Sequence, residues 1–198
     1  MASAFTKQEQ TIIKKALKDA AAEFAATIGM KKTTIDQLAD EAGISKGAFY
    51  RFYDSKESLF FEVLEDEHAE LYNAALQVLN TQTDLPAPKR AAKAILKIFT
   101  IMEKRSLMDF FANDMPSILR KVPPEILQEH YHSDDVHIKD IITQSGLKLT
   151  VSSEVASAAI RGLMLTLLYR KDIGEHYHSV LTILVEGACE KMVKSDLS

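Results

Sequence analysis

The chain holds 198 residues, 46% hydrophobic and 26% charged, the balance of a folded globular protein rather than a disordered one. With 7 Gly, 5 Pro and a single cysteine, Cys189, it excludes collagen-like and linker-rich chains, a disulfide framework and a thiolate zinc site. The net charge of −4 is uneven: residues 1–60 carry 9 Lys/Arg against 8 Asp/Glu, and the other 138 carry 15 against 20, so a near-neutral head precedes an acidic body.

The helical period of apolar residues recurs along the whole chain, and no stretch alternates as a strand would. Ile12, Ile13, Ala16, Leu17, Ala20, Phe24 and Ile28 predict a first amphipathic helix, stopped by Gly29. Thr34 caps a short helix carrying Ile35, Leu38, Ala39 and Ala42, and Gly43 ends it. Ser45 opens another segment, Lys46 to Tyr53, and Ser55 caps a long helix from about Glu57 to Leu79. Asn80 to Pro88 reads as the clearest linker. Further helices are expected over Lys89 to Lys104, Ser106 to Asn113, Pro124 to Thr143, from Ser152 or Ser153 to near Arg170, and from Glu175 to Lys194. Pro116, Pro123 and Pro124 break the chain between them. The fold expected is all-α with about nine helices. The chain divides into a head over 1–55 and a body over 56–198, with a connecting helix over about 56–79.

Function concentrates in Thr33 to Leu59, where a helix, a tight turn at Gly43 and a second helix make a helix-turn-helix. In that motif the second helix enters the major groove while the first crosses the backbone. Ile35, Leu38, Ala39, Ile44 and Phe49 are placed to hold the two helices at a fixed angle. The second helix exposes Ser45, Lys46, Gly47, Ala48, Tyr50 and Arg51, whose hydroxyls and cations suit phosphate and whose Ala48 and Tyr50 suit thymine methyl groups. The helix N-termini at Thr34 and at Ser55-Lys56 offer free N–H groups to phosphate. Each residue has a plainer reading too: Thr34 and Ser55 cap helices in any case, and Arg51 could equally pair with Asp54. Lys31 and Lys32 could equally lie in a solvated loop.

This stretch resembles the TetR family of one-component transcriptional regulators. The likeness lies in Thr34-Ile35, Leu38-Ala39, Ala42-Gly43-Ile44-Ser45-Lys46-Gly47, Phe49-Tyr50, Phe52-Tyr53 and Ser55-Lys56-Glu57 with Leu59. It implies that the second motif helix is the recognition helix, that Tyr50 contacts DNA and that Lys56 contacts phosphate. The one departure, Tyr53 where the family usually has Phe, leaves a hydroxyl in need of a partner. It implies further that the body binds a small-molecule effector and forms a homodimer, setting two recognition helices on a near-palindromic operator.

Two expectations concern the body. Val155 to Tyr169 is apolar on nearly every face and calls for burial against both its own body and a partner. With the last helix it predicts a dimer face of Ala156, Ala159, Gly162, Leu163, Leu181, Leu184, Ala188 and Met192. Phe99, Met102, Phe110, Phe111, Met115, Tyr131, Met164 and Tyr169 are candidates for an effector pocket, although aromatic and Met residues at helical spacing also build plain core. Arg105, Arg120 or His130 could orient a polar group on the effector. The clusters His130, His132, His137 and His176, His178 lack a chelating helical spacing and read as solvated or pH-sensitive groups, so no metal or cofactor is expected. No nucleophile–base constellation is present, so catalysis is not expected. Met1 to Gln10 lacks a basic segment followed by an apolar run, and Val155 to Tyr169 is short for a membrane span and broken by Arg161. That points to a cytoplasmic chain without a membrane partner. The function expected is a repressor released from DNA by an apolar or amphipathic ligand, with a partner-binding module of the same fold as the alternative.

Overall fold

The computed structural model describes residues 5–195, which are helical apart from loops and one isolated antiparallel bridge between Leu149 and Val193. In chain order the helices are α1 (Lys7–Thr27), α2 (Ile35–Glu41), α3 (Lys46–Phe49), α4 (Lys56–Thr81) and α5 (Ala87–Lys104). A π-helical turn, Phe110–Asp114, runs directly into α6 (Met115–Lys121), followed by α7 (Pro124–Ser145) and α8 (Ser153–Leu165). The 3-10 turn Thr166–Tyr169, the short α9 (Arg170–Ile173), a second 3-10 turn, Gly174–His176, and α10 (Tyr177–Met192) complete it.

Local chemistry sets the helix ends. α1 opens on a capping box in which the Thr6 hydroxyl accepts from the Glu9 N–H and the Glu9 carboxylate accepts from the Thr6 N–H at 2.7 Å. Ser152 caps α8, as one of the two expected serines. Pro116 does not break the chain: it stands at the start of α6, where a missing N–H costs nothing. The expected single helix from Ser152 to Arg170 is instead α8, a 3-10 turn and α9.

The described residues pack as two compact units, one formed by the chain up to Glu67 together with Asp109–Val122, the other by His68–Met108 and the chain from Pro123 onward. The boundary expected after residue 55 therefore falls within α4, and a strap from the middle of the chain joins the N-terminal unit. Contacts explain why. Phe110 of the strap packs on Phe60 of α4, ring centroids 6.2 Å apart, and Lys121 pairs with Glu57 at 2.7 Å. The core of this unit includes Leu17, Leu38, Phe49, Leu59, Leu64 and Ile118. The stripe expected on α1 is rotated: Leu17, Ala20, Ala21 and Ala25 are buried, whereas Ile12 and Ile28 are exposed.

In the second unit α10 packs along α5 and beside α8, and α7 packs against α8. Its core includes Leu71, Phe99, Met102, Leu163, Tyr177 and Val185. The buried Ser157 hydroxyl donates to Asp135 at 2.5 Å, and Arg161 donates to the same carboxylate at 3.1 Å. These hydrogen bonds, the serine first, hold the Asp135 pKa below its ordinary value.

Candidate nucleic-acid interface and effector cavity

α2 starts from a second capping box: the Thr34 hydroxyl accepts from the Gln37 N–H at 3.2 Å, and the Gln37 side-chain oxygen accepts from the Thr34 N–H at 2.8 Å. Gly43, in the left-handed region at φ +67°, makes the turn that a β-carbon would strain, and the Ile44 N–H then donates to the Ala39 carbonyl at 2.9 Å. Ser45 caps α3 by accepting from the Ala48 N–H at 3.2 Å. Leu38, Ala39 and Phe49 are buried between the helices, as the sequence pattern expects.

This frame leaves Ser45, Lys46, Gly47, Tyr50 and Arg51 exposed and Ala48 half-buried. Tyr50, at 51% exposure, meets Phe49 edge-on, ring centroids 5.6 Å apart, which holds the phenol ring while its rim faces solvent. Lys46 donates to Asp36 at 2.7 Å, and that hydrogen bond raises its pKa, so the cation stays charged. The Arg51 guanidinium lies 4.8 Å from the ring centre of Phe5, which itself packs on Phe52. Neither Asp36 nor Phe5 was marked by the sequence pattern as a partner of these cations. Arg51 pairs with that ring, and no ion pair to Asp54 is observed for it.

Three expected DNA contacts have partners within the protein. The Lys56 ammonium donates to the carbonyls of Met30 at 2.7 Å and Thr33 at 2.6 Å, with Lys31 at 3.5 Å. Its ammonium thus closes the α1–α2 turn. Thr34 is exposed, yet its hydroxyl is already engaged with Gln37, and half-buried Ser55 accepts from the Ser58 N–H at 3.1 Å. The Tyr53 hydroxyl finds its partner in Glu62, at 3.0 Å, and Glu62 also receives Lys14 at 2.9 Å. Burial first, then Glu62, raises the Tyr53 pKa, so the phenol remains a donor.

The same turn is held from the strap. Asp114, 4% exposed, accepts the Met30 N–H at 2.7 Å. Gly29, at φ +79°, makes room for it, since a β-carbon there would stand 2.9 Å from the Asp114 Oδ2. On α4, burial raises the Glu57 pKa, but the hydrogen bond from Lys121 of the strap, a backbone hydrogen bond and the Lys121 and Lys56 charges together outweigh it, leaving the carboxyl below its usual range.

The second unit encloses a cavity of about 670 Å³, counted to its open mouth, walled by α4, α5, α7, α8, α10 and the bridge residues Leu149 and Val193. None of the eight candidate pocket residues lines it. Phe99 and Met102 are buried in the packing of this unit, while Phe110 and Phe111 belong to the core of the other. Met115 and Met164 are half-buried, and Tyr131 and Tyr169 are 39% and 61% exposed. The wall is aliphatic, with Tyr72 its one aromatic and Cys189 its one thiol, whose pKa burial pushes up to about 11. Arg105 and Arg120 are exposed; His130 is buried and stacks on His68 at 5.2 Å. His137 lies against Tyr72 at 5.2 Å, whereas His132, His176 and His178 are exposed.

Of the expected dimer face, Ala156, Leu163, Leu181 and Met192 are buried within their own unit. Gly162 and Leu184 are exposed, and Ala159 and Ala188 are half-buried. Val155 and Leu165 on α8 and Ile183 on α10, at 53%, 52% and 70% exposure, were not expected to face outward. No helix among the described residues is long and apolar enough to cross a membrane.

The family model for bacterial regulatory proteins of the tetR family matches residues 17–63, from the buried half of α1 into α4. The HTH-type transcriptional repressor KstR2 of Mycolicibacterium smegmatis is 41% identical over 63 residues, 32% of this chain and 31% of that protein. Across the first relatives matched, the shared stretch spans 31% to 44% of the relative's own length. Among solved structures, FadR from Bacillus subtilis in complex with stearoyl-CoA shares the fold with a TM-score of 0.58 at 18% identity, over 88% of this chain and 97% of that one. RolR in complex with resorcinol does so with a TM-score of 0.60 at 16% identity, over 93% and 95%. The motif match and its capped geometry agree: residues 17–63 form a helix-turn-helix domain of the tetR-family type, and the described residues share the all-α fold of solved TetR-type regulators.

Proposed function

We propose that this chain is a homodimeric transcriptional repressor that reads a near-palindromic operator and is released by a small apolar or amphipathic effector. The observation that carries the reading is the surface around α3, where Lys46, Gly47 and a braced, half-exposed Tyr50 project from a turn locked by caps at Thr34 and Ser45. Phosphate contacts from such a surface position the helix, and the phenol and backbone of Gly47 can approach base edges. The exposed strip of Val155, Leu165, Ile183 and Leu184 supports a two-fold partner, since unpaired large aliphatics on adjacent helices gain most from a second copy. The cavity supports an effector, and the two solved neighbours hold ligands as different as stearoyl-CoA and resorcinol on this fold. The effector's route to DNA is short in sequence: α5 and α7 wall the cavity, and the strap that grips Met30 is the chain between them.

Titration against the DNA upstream of the protein's own gene, at two salt concentrations, tests this. Tight binding that resists competitor DNA and weakens with salt is expected. Tyr50→Ala should lose about 1–3 kcal/mol of operator affinity with the dimer intact, and Ile183→Asp should sediment as a monomer. Unchanged operator affinity in Tyr50→Ala refutes the reading face. A stoichiometric protein partner without sequence-specific DNA binding would favour a partner-binding module.

A further inference from the structure

We infer that the cavity of the second unit binds a single aliphatic chain, the hydrocarbon tail of an amphiphile whose headgroup stays at the mouth. This deepens the effector half of the proposed function and rests on it only for the consequence at DNA. The cavity exists because four alanines, Ala75, Ala91, Ala94 and Ala156, stand where larger residues would close the space between α4, α5 and α8. Six isoleucines on α5, α7 and α8 supply most of the remaining wall. Among the described residues no charged side chain lines it, so a carboxylate, phosphate or ammonium taken inside would lose its hydration with nothing in return. Tyr72 is the one aromatic in the wall, so a planar aromatic effector would find at most one ring to stack on, whereas methylenes find branched aliphatic partners along α5, α7 and α8. Cys189 does not alter this chemistry, because a buried thiol with a raised pKa behaves as a small apolar group.

A homologous series of n-alkanols from hexanol to dodecanol, titrated calorimetrically into the full chain, reads the proposal directly. Each added methylene should tighten binding by about fourfold, the equivalent of ~0.8 kcal/mol, until the cavity is full, at one ligand per chain. Resorcinol should bind far more weakly than octanol. Because the headgroup stays outside the wall, dodecanoate should bind within about tenfold of dodecanol. Ala94→Phe, checked for unchanged helical circular dichroism, fills the space and should abolish the dependence on chain length. A flat alkanol series, or one that Ala94→Phe leaves intact in a folded protein, overturns the inference; so does resorcinol binding as tightly as octanol. A dodecanoate affinity lower by several hundredfold overturns the placement of the headgroup. Operator binding is measured alongside in saturating dodecanol. Release of DNA supports both readings, whereas dodecanol bound with operator affinity unchanged keeps the cavity assignment and removes effector release from the proposed function.

Discussion

Replacing Asp114 by alanine removes the acceptor that holds the Met30 N–H at 2.7 Å in a site only 4% exposed. The lost hydrogen bond is to a charged group, and the N–H is left in an interior that water does not fill. Such a change costs about 1.5–3 kcal/mol. Gly29 makes the estimate sharper. Gly29→Ala in the native chain brings a β-carbon to 2.9 Å from the carboxylate and also places alanine at φ +79°. The backbone part alone costs about 1–2 kcal/mol. In an Asp114→Ala background the clash is gone and only the backbone part remains. The two substitutions should therefore be less than additive, by about 1 kcal/mol, in a double-mutant cycle. Urea unfolding followed by circular dichroism measures all four corners, with Asp114→Asn as the conservative control that keeps an acceptor. Additive costs, or an Asp114→Ala protein as stable as the parent, would show that the strap does not grip the α1–α2 turn through this contact.

Lys56→Met should lower stability by about 1.5–3 kcal/mol, because two strongly held carbonyls lose their donor. The salt dependence of DNA binding by the folded variant should stay as it was; a slope reduced by about one ion would restore a phosphate contact. Tyr53→Phe should cost about 0.5–1.5 kcal/mol in thermal unfolding and no more, since Glu62 keeps Lys14. A neutral result would mean that the hydroxyl is dispensable. Glu154, in the first turn of α8, is held at a pKa of about 2 by its backbone hydrogen bond first and then by Lys139, Ser152 and Ser153. A depressed carboxyl stabilises the fold fully above its ordinary 4.5, and that contribution is lost as the pH falls from there through about 2. Glu154→Gln should flatten the acid limb of the stability profile over that window, and an unaltered limb would contradict the assignment.

The N-terminal unit was legible because its determinants are local. Thr34 with Gln37, Gly43, and Ser45 with Ala48 lie within a few residues of one another, and caps and turns announce themselves at that range. Asp114 was not, since its partner lies 84 residues away and nothing in a lone Asp before Met-Pro marks it. Lys56 carried a family expectation, but only three-dimensional proximity shows its ammonium closing on the carbonyls of Met30 and Thr33. Large aromatics do not mark the cavity, whose wall is aliphatic. A void forms where side chains are small, and Ala91 and Ala94 look like ordinary helix filler in a sequence. Half of the expected dimer face is buried within its own unit for a related reason: an apolar helix has two apolar sides, and periodicity does not say which one the protein itself covers.

The strap gives the N-terminal unit an unusual schedule of assembly. Its motif is complete by residue 67, yet its last packing elements, Asp109–Val122, are synthesised only after α5. On the ribosome, a DNA-reading surface made early must wait some forty residues for Phe110, Asp114 and Lys121 to close on Phe60, Met30 and Glu57. Closing the strap over the intervening segment, which holds the rest of α4 and all of α5, carries a closure entropy that the local helices never face. A nascent chain released before Asp109 would carry every residue of the recognition helix and still lack the clasp on the α1–α2 turn.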